Sequence, residues 1–243
     1  KQKIIVKEKD LTNLNFWQYN SKKIFHSSKK FFRIIGLRVV SNFYKHKTWD
    51  QPIIYQNGNG ILGIIRRNIG KQPEYLMKAK VEPRNSNKLQ ISPTVQATKS
   101  NYTRVHGGKK IKYLNFFLNI KQSIVNIKQT EQGFNYLLKK NKNILIKSNS
   151  KIKASERYRW IKRDNLISLI KKKNILNMDA LSVFSCSLKK NKYDKPIYNF
   201  DKINFWFKKM NRKYYIKIKK IKLVDMKSWK LTNKKISHNK KSY

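Results

Sequence analysis

The chain has 243 residues, with 58 Lys and Arg against 12 Asp and Glu, a formal charge of +46. A free globular domain of this size carries a net charge of roughly 2 to 8, so the imbalance excludes an ordinary solitary globule and calls for an anionic partner. Ile, Leu, Phe and Val together make 68 of the 243 residues, above the roughly 20% below which a charged chain stays unfolded, so the chain is expected to fold.

In chain order, residues 1–30 read as an arm anchored by Phe16, Trp17 and Tyr19. Residue 1 is Lys rather than Met, and no apolar signal core follows, so a missing start or a trimmed N-terminus is expected. Residues 31–70 are strand-rich. Phe31 to Phe43 is dense in β-branched and aromatic residues, and Ile53–Tyr55 and Ile61–Ile65 flank an Asn57-Gly58 pair, the pattern of a hairpin. Residues 71–109, punctuated by Pro73, Pro83 and Pro93, read as an irregular connector.

Residues 110–207 are expected to be helix-rich. Tyr113, Phe117, Ile120, Ile124 and Ile127 recur at helical spacing and predict a helix over 110–128. A second short helix is expected over 134–140, a strand at Ile144–Ile146, and a helix over 155–173 burying Tyr158, Ile161, Leu166, Leu169 and Ile170. Residues 208–243 hold 14 basic residues and one acid, Asp225. There Ile216 and Ile218 alternate with lysines, Ile221 and Leu223 continue with the parity flipped, and the pattern predicts a bulged, lysine-faced strand followed by a tail. The expected fold is α+β, a small mixed core with long basic extensions and a basic C-terminal tail.

The inventory for catalysis is poor. The four His are isolated, the acids are scattered, and no nucleophile elbow, metal helix or Cys-x-x-Cys pair occurs. Cys186 stands alone, which excludes a disulfide framework and a Cys-based zinc site, and no apolar run approaches a membrane span. Asn101-Tyr102-Thr103 matches a glycosylation sequon by chance. No catalytic residue, metal or cofactor is therefore expected.

The binding residues are sought among cations. Gly107-Gly108-Lys109-Lys110 ahead of the predicted helix suits a phosphate contact at a helix start. Arg157, Arg159, Lys162 and Arg163 cluster with Tyr158 and Trp160, and Lys208, Lys209, Arg212, Lys213, Lys217 and Lys219 populate the C-terminal stretch. Mixed cations and aromatics suit phosphate neutralisation with base stacking, while Trp206 and Phe207 are read as core residues.

Lys, Asn and Ile number 48, 26 and 29, against 4 Ala and 8 Gly, the mark of an A+T-rich coding sequence. With its lysine-rich end, this body resembles the ribosomal proteins encoded in A+T-rich mitochondrial genomes of protists. Arg104 to Lys110 is also similar to a basic, glycine-rich stretch of one large-subunit ribosomal family, though no individual family is matched. The resemblance implies a non-enzymatic constituent of a mitochondrial ribosome in the matrix, bound to ribosomal RNA and neighbouring ribosomal proteins, with no small-molecule substrate. The alternative is an organellar RNA-processing, maturase-like or endonuclease-like enzyme.

Overall fold

The computed structural model describes residues 5–83, 89–105, 107–120, 123–148, 151–187 and 200–239. The fold is α+β and mostly strand. It divides into two compact units, one of Lys1–Lys7, Asn57–Glu131 and Leu138–Leu188, the other of Glu8–Gln56, Gln132–Leu137 and Lys189–Tyr243.

The first unit is built on a seven-stranded sheet. Its strands are β5 (Gly60–Ile69), β6 (Gln72–Val81), β7 (Leu89–Ser92), β8 (Val95–Ala97), β9 (Ser123–Thr130), β10 (Lys140–Lys147) and β11 (Tyr158–Lys162). The order is β11-β6-β5-β10-β9, with β7 on β6 and β8 on β5; the β10–β5 pair alone is parallel. Both faces of β5 and β10 are covered, which explains their unbroken apolar runs. On one face Ile61, Ile65, Ile144 and Ile146 pack with Phe117, from the single turn α2 (Asn115–Leu118), and with Tyr158. On the other, Leu62, Ile64 and Leu145 pack under α3 (Arg163–Ile170) and α4 (Met178–Ser185) through Leu166, Ala180, Val183 and Phe184. Gly63 lies beneath the Phe117 ring, where a Cβ would collide with it.

The second unit holds β1 (Trp17–Tyr19), β2 (Lys23–His26), β3 (Arg33–Ser41), β4 (Thr48–Tyr55) and β12 (Ile216–Ile221) in one sheet. Asp50, with a side chain 1% exposed, accepts both Nε and Nη2 of Arg38 at 2.8 Å and the Lys227 amide at 2.6 Å. The Trp229 indole donates to the Asp50 carbonyl, fastening the hairpin β13 (Trp229–Leu231) and β14 (Ile236–His238).

Several expectations are corrected. Asn57-Gly58 closes no hairpin, because β4 pairs with β3 while β5 pairs in the other sheet, so the loop carries the chain from one unit to the other. The stretch 71–109 contains β6, β7, β8 and the short helix α1 (Lys99–Tyr102). The helix predicted over 110–128 is only α2 followed by β9, and Ile120, Ile124 and Ile127 are exposed. β-Branched residues on an edge strand satisfy the same spacing without forming a helical face. No helix forms over 134–140, where turns lead into β10. The predicted strand Ile144–Ile146 lies within β10.

The helix expected over 155–173 is β11 followed by α3. Tyr158 and Leu166 are buried there, on opposite sides of the sheet. β12 pairs with β3 in unbroken register from Ile216 to Ile221, so there is no bulge, and residues 229–238 form a hairpin rather than a tail. Trp206 and Phe207 are exposed on α5 (Phe200–Lys213), not buried in a core.

Candidate functional site: a basic cavity in the first unit

A cavity of about 620 Å³ opens in the first unit, within the size range of small-ligand sites. Six cations line it, namely Lys78, Arg104, Lys109, Lys110, Lys112 and Arg157, against one lining carboxylate, Glu156. Three segments bring them together. β6 contributes Lys78, the turn before β11 contributes Glu156 and Arg157, and the loop after α1 contributes the rest.

That loop is held by its backbone rather than by a helix. Arg104, Gly107 and Tyr113 all have positive φ, at 54°, 65° and 65°. The Gly107 amide donates to the Arg104 carbonyl at 3.0 Å, and Arg104 Nε donates to the Gly108 carbonyl at 3.1 Å. Left-handed residues other than glycine are costly and persist where the surroundings enforce them. Here the Tyr113 hydroxyl donates to the Lys153 carbonyl at 3.0 Å, and its ring packs edge-on to Tyr158 at 4.9 Å. No helix begins at Gly107-Gly108, so the expected helix-start cradle is replaced by side chains converging on a concavity.

Arg104, Lys109, Lys110, Lys112 and Arg157 are exposed to solvent, and Lys78 is half-buried. Burial, then the neighbouring Lys80 and Arg157, pull the Lys78 ammonium below its ordinary pKa. Burial pushes the Tyr158 hydroxyl up to about 12, with Tyr113 adding to the rise and Arg157 opposing it. Lys78 Nζ lies 5.7 Å from the Tyr158 ring centroid.

A second polar group adjoins the cavity. Gln96, which lines it, donates to Glu82 at 3.3 Å and accepts from Asn177 at 3.0 Å, and Asn177 caps α4 by accepting from the Ala180 amide. In the first turn of α4, Asp179 is raised to about 6, first by burial and then by Glu131; Lys80 opposes the rise, Glu82 adds to it and Lys139 opposes it. Among the described residues no group of three His, Cys, Asp or Glu side chains could hold a metal ion.

Of the twelve cations singled out from the sequence, Lys109, Lys110 and Arg157 meet at this cavity. Arg159 is exposed on β11 opposite Met77, Lys162 ends that strand opposite Glu74, and Arg163 opens α3 at 4.0 Å from Asp164. Lys208, Lys209, Arg212 and Lys213 lie on α5, and Lys217 and Lys219 on β12, all in the second unit. Sequence reasoning missed Lys78 and Lys112, and it named Arg104 and Tyr158 without joining them to one cavity. Lys78 sits in a strand beside buried Met77, and Arg104, one of ten arginines in a lysine-rich chain, was the available signal.

Fold and site together define an α+β protein with a cavity lined by six cations and one carboxylate. A model of the family described as NDP-hexose 2,3-dehydratase matches residues 1–187. The chain belongs to this family. Three curated relatives carry the name dTDP-4-dehydro-6-deoxy-alpha-D-glucopyranose 2,3-dehydratase. The protein of Amycolatopsis orientalis is 32% identical over 225 residues, covering 90% of this chain and 48% of the relative. That of Saccharopolyspora spinosa is 37% identical over 177 residues, covering 71% and 36%, and that of Streptomyces violaceoruber is 36% identical over 193 residues, covering 75% and 44%. The chain thus spans about half the length, or less, of these relatives.

These matches overturn the ribosomal reading. The chain belongs to a family of sugar-nucleotide enzymes, not to a ribosomal protein family, and neither the mitochondrial placement, the RNA and ribosomal partners nor the RNA-processing alternative survives. The expectation of a non-enzyme without a small-molecule substrate is overturned with them. The physical reason is that composition carries no topology. Lysine excess can be carried by any fold and does not distinguish a ribosomal protein from a member of this family.

Proposed function

We propose that this chain binds a nucleoside-diphosphate sugar and takes part in its 2,3-dehydration. One observation carries the reading: six cations from three segments converge on a cavity of about 620 Å³ in a member of a sugar-nucleotide dehydratase family. A diphosphate supplies the charge that this cavity lacks, and Lys and Arg are its natural ligands. Lys109, Lys110 and Arg157 are assigned to the diphosphate.

The chemistry follows from the substrate class named for the relatives. A ketone at carbon 4 acidifies the hydrogen on carbon 3. A base takes that proton, the carbon 2 hydroxyl leaves with a proton as water, and the resulting enol tautomerises to the ketone at carbon 3. The sum is loss of one water with no external oxidant or reductant. Such a path needs a proton acceptor and a donor near neutral pH. Lys78, which lines the cavity and whose ammonium is pulled below its ordinary pKa by burial, is the candidate proton acceptor.

Calorimetric titration of the chain with a dTDP-4-keto-6-deoxyhexose tests the reading. Binding is expected to weaken with salt and to be lost when Lys109, Lys110 and Arg157 are replaced together by Ala. Binding indifferent to those three residues, or absent from the unaltered chain, refutes it. Mass spectrometry of the incubated sugar then reads the loss of water.

A further inference from the structure

Tyr102, Tyr113, Tyr158 and Trp160 pack together with Phe117 on one face of the first unit's sheet. Three of them spend their polar tip on a carbonyl. The Tyr102 hydroxyl donates to Asn59 at 3.4 Å, the Tyr113 hydroxyl to Lys153 at 3.0 Å and the Trp160 indole to Ile152 at 3.1 Å. Tyr158 is the buried member of the four, 6% exposed, yet its hydroxyl has no hydrogen-bond partner among the described residues. A buried tyrosine hydroxyl ordinarily finds a partner, and one without calls for a reason. Tyr158 lines the cation-rich cavity, where a ligand can supply that partner.

The strand register fixes what stands beside it. β11 pairs antiparallel with β6, placing Tyr158 directly opposite Lys78, which sets their Cβ atoms about 5 Å apart on the same side of the sheet. Both side chains line the cavity, with Lys78 Nζ 5.7 Å from the Tyr158 ring centroid. The Tyr113 ring, edge-on at 4.9 Å, buttresses Tyr158. Burial pushes the Tyr158 hydroxyl up to about 12, so at neutral pH it keeps its proton and serves as an uncharged donor.

We propose, on the reading that this cavity holds the sugar nucleotide, that the Tyr158 hydroxyl is a catalytic hydrogen-bond donor to the ketone oxygen on carbon 4, acting beside Lys78. The hydrogen that is removed and the oxygen that gains charge sit on adjacent carbons, so base and donor must be neighbours, and the cross-strand pair meets that demand. As the neutral Lys78 amine takes the proton from carbon 3, the C–H electrons form the carbon 3–carbon 4 double bond and negative charge develops on the carbon 4 oxygen. The Tyr158 hydrogen bond strengthens with that charge, which is how such a donor lowers a barrier. The electrons then restore the carbon 4 carbonyl, a carbon 2–carbon 3 double bond forms and the carbon 2–oxygen bond breaks. The hydroxyl departs as water with the proton that Lys78 took, and Tyr158 ends with the proton it began with. A diphosphate oxygen suits this donor less well, because it demands charge, which the exposed Lys109, Lys110 and Arg157 supply.

Tyr158→Phe keeps the ring and removes the hydroxyl. Its thermal unfolding midpoint is expected to match that of the unaltered chain; a clear fall would show the hydroxyl bonded within the fold and overturn the proposal. Calorimetric titration with dTDP alone and with a dTDP-4-keto-6-deoxyhexose needs no turnover. The variant is expected to bind dTDP unchanged and the keto sugar about three- to tenfold more weakly. By mass spectrometry, kcat for water loss is expected to fall roughly a hundredfold while KM moves only a few-fold. Equal weakening of both ligands would place the hydroxyl on the nucleotide, and unchanged turnover would remove it from the chemistry; either overturns the proposal. Failure of the unaltered chain to bind either ligand refutes the site and this role with it, whereas a variant that matches the unaltered chain on both ligands refutes the role of Tyr158 alone.

Discussion

Replacing Asp179 by Asn tests the electrostatics of the first unit most directly. The carboxyl sits in the first turn of α4, partly buried, with Asn177 capping the helix two residues earlier. Its pKa moves from an ordinary 3.8 to about 6. Because the folded state holds the proton more tightly, folding stability falls as pH rises through that window; the cost is absent below about 3.8 and complete above about 6. The shift corresponds to about 3 kcal/mol at neutral pH. An anion at a helix N-terminus gains about 0.3–1 kcal/mol from the helix dipole, which Asn forfeits. Asp179→Asn is therefore expected to stabilise the chain by about 2 kcal/mol near neutrality and by nothing near pH 4. Urea denaturation of both proteins across that range reads the difference directly. A variant that is destabilised near neutrality, or whose effect does not change with pH, would show that Asp179 is ionised in the fold and would refute the reasoning.

In the second unit, Asp50→Asn should destabilise the chain above the usual carboxylate range, since it removes the carboxylate that accepts two Arg38 hydrogen bonds and the Lys227 amide. The Arg38 hydrogen bond holds the Asp50 carboxyl below its ordinary value, so the stabilisation is complete above the unfolded pKa and disappears as pH falls; thermal unfolding of the two proteins should converge in acid. Gly63→Ala is expected to destabilise by about 1–3 kcal/mol through its collision with Phe117, and Phe117→Leu in the same chain should recover part of that in a denaturation curve. Lys78→Met should raise stability at neutral pH, because the protonated amine opposes folding below its lowered pKa and this cost fades as pH rises. The same change should weaken sugar-nucleotide binding about tenfold by calorimetry; unchanged binding would place Lys78 outside the anion site.

Strand content was legible where alternation or an apolar run met turn residues. Phe31–Phe43 contains β3, Ile144–Ile146 lies in β10 and Ile216–Ile221 forms β12. Around Tyr113–Ile127 a helical spacing and a strand fit the same residues, and the pairing of Ser123–Thr130 with β10 decides between them. Trp206 and Phe207 read as core because large aromatics are usually buried, yet on α5 no partner within the described chain covers them. Lys109, Lys110 and Arg157 could be named from their local clusters. Their meeting with Lys78 and Arg104 could not, because it depends on where the loop after α1 comes to rest against β6.

By itself, the sequence determined a folded α+β chain with one cysteine and a large excess of cations, since amino-acid counts and local periodicity are properties of the chain alone. It did not determine which of those cations meet in space. Only the tertiary structure decided that, by bringing six of them from segments up to about eighty residues apart onto one cavity, because electrostatic repulsion, and its relief by a bound anion, depends on distance in space rather than on composition.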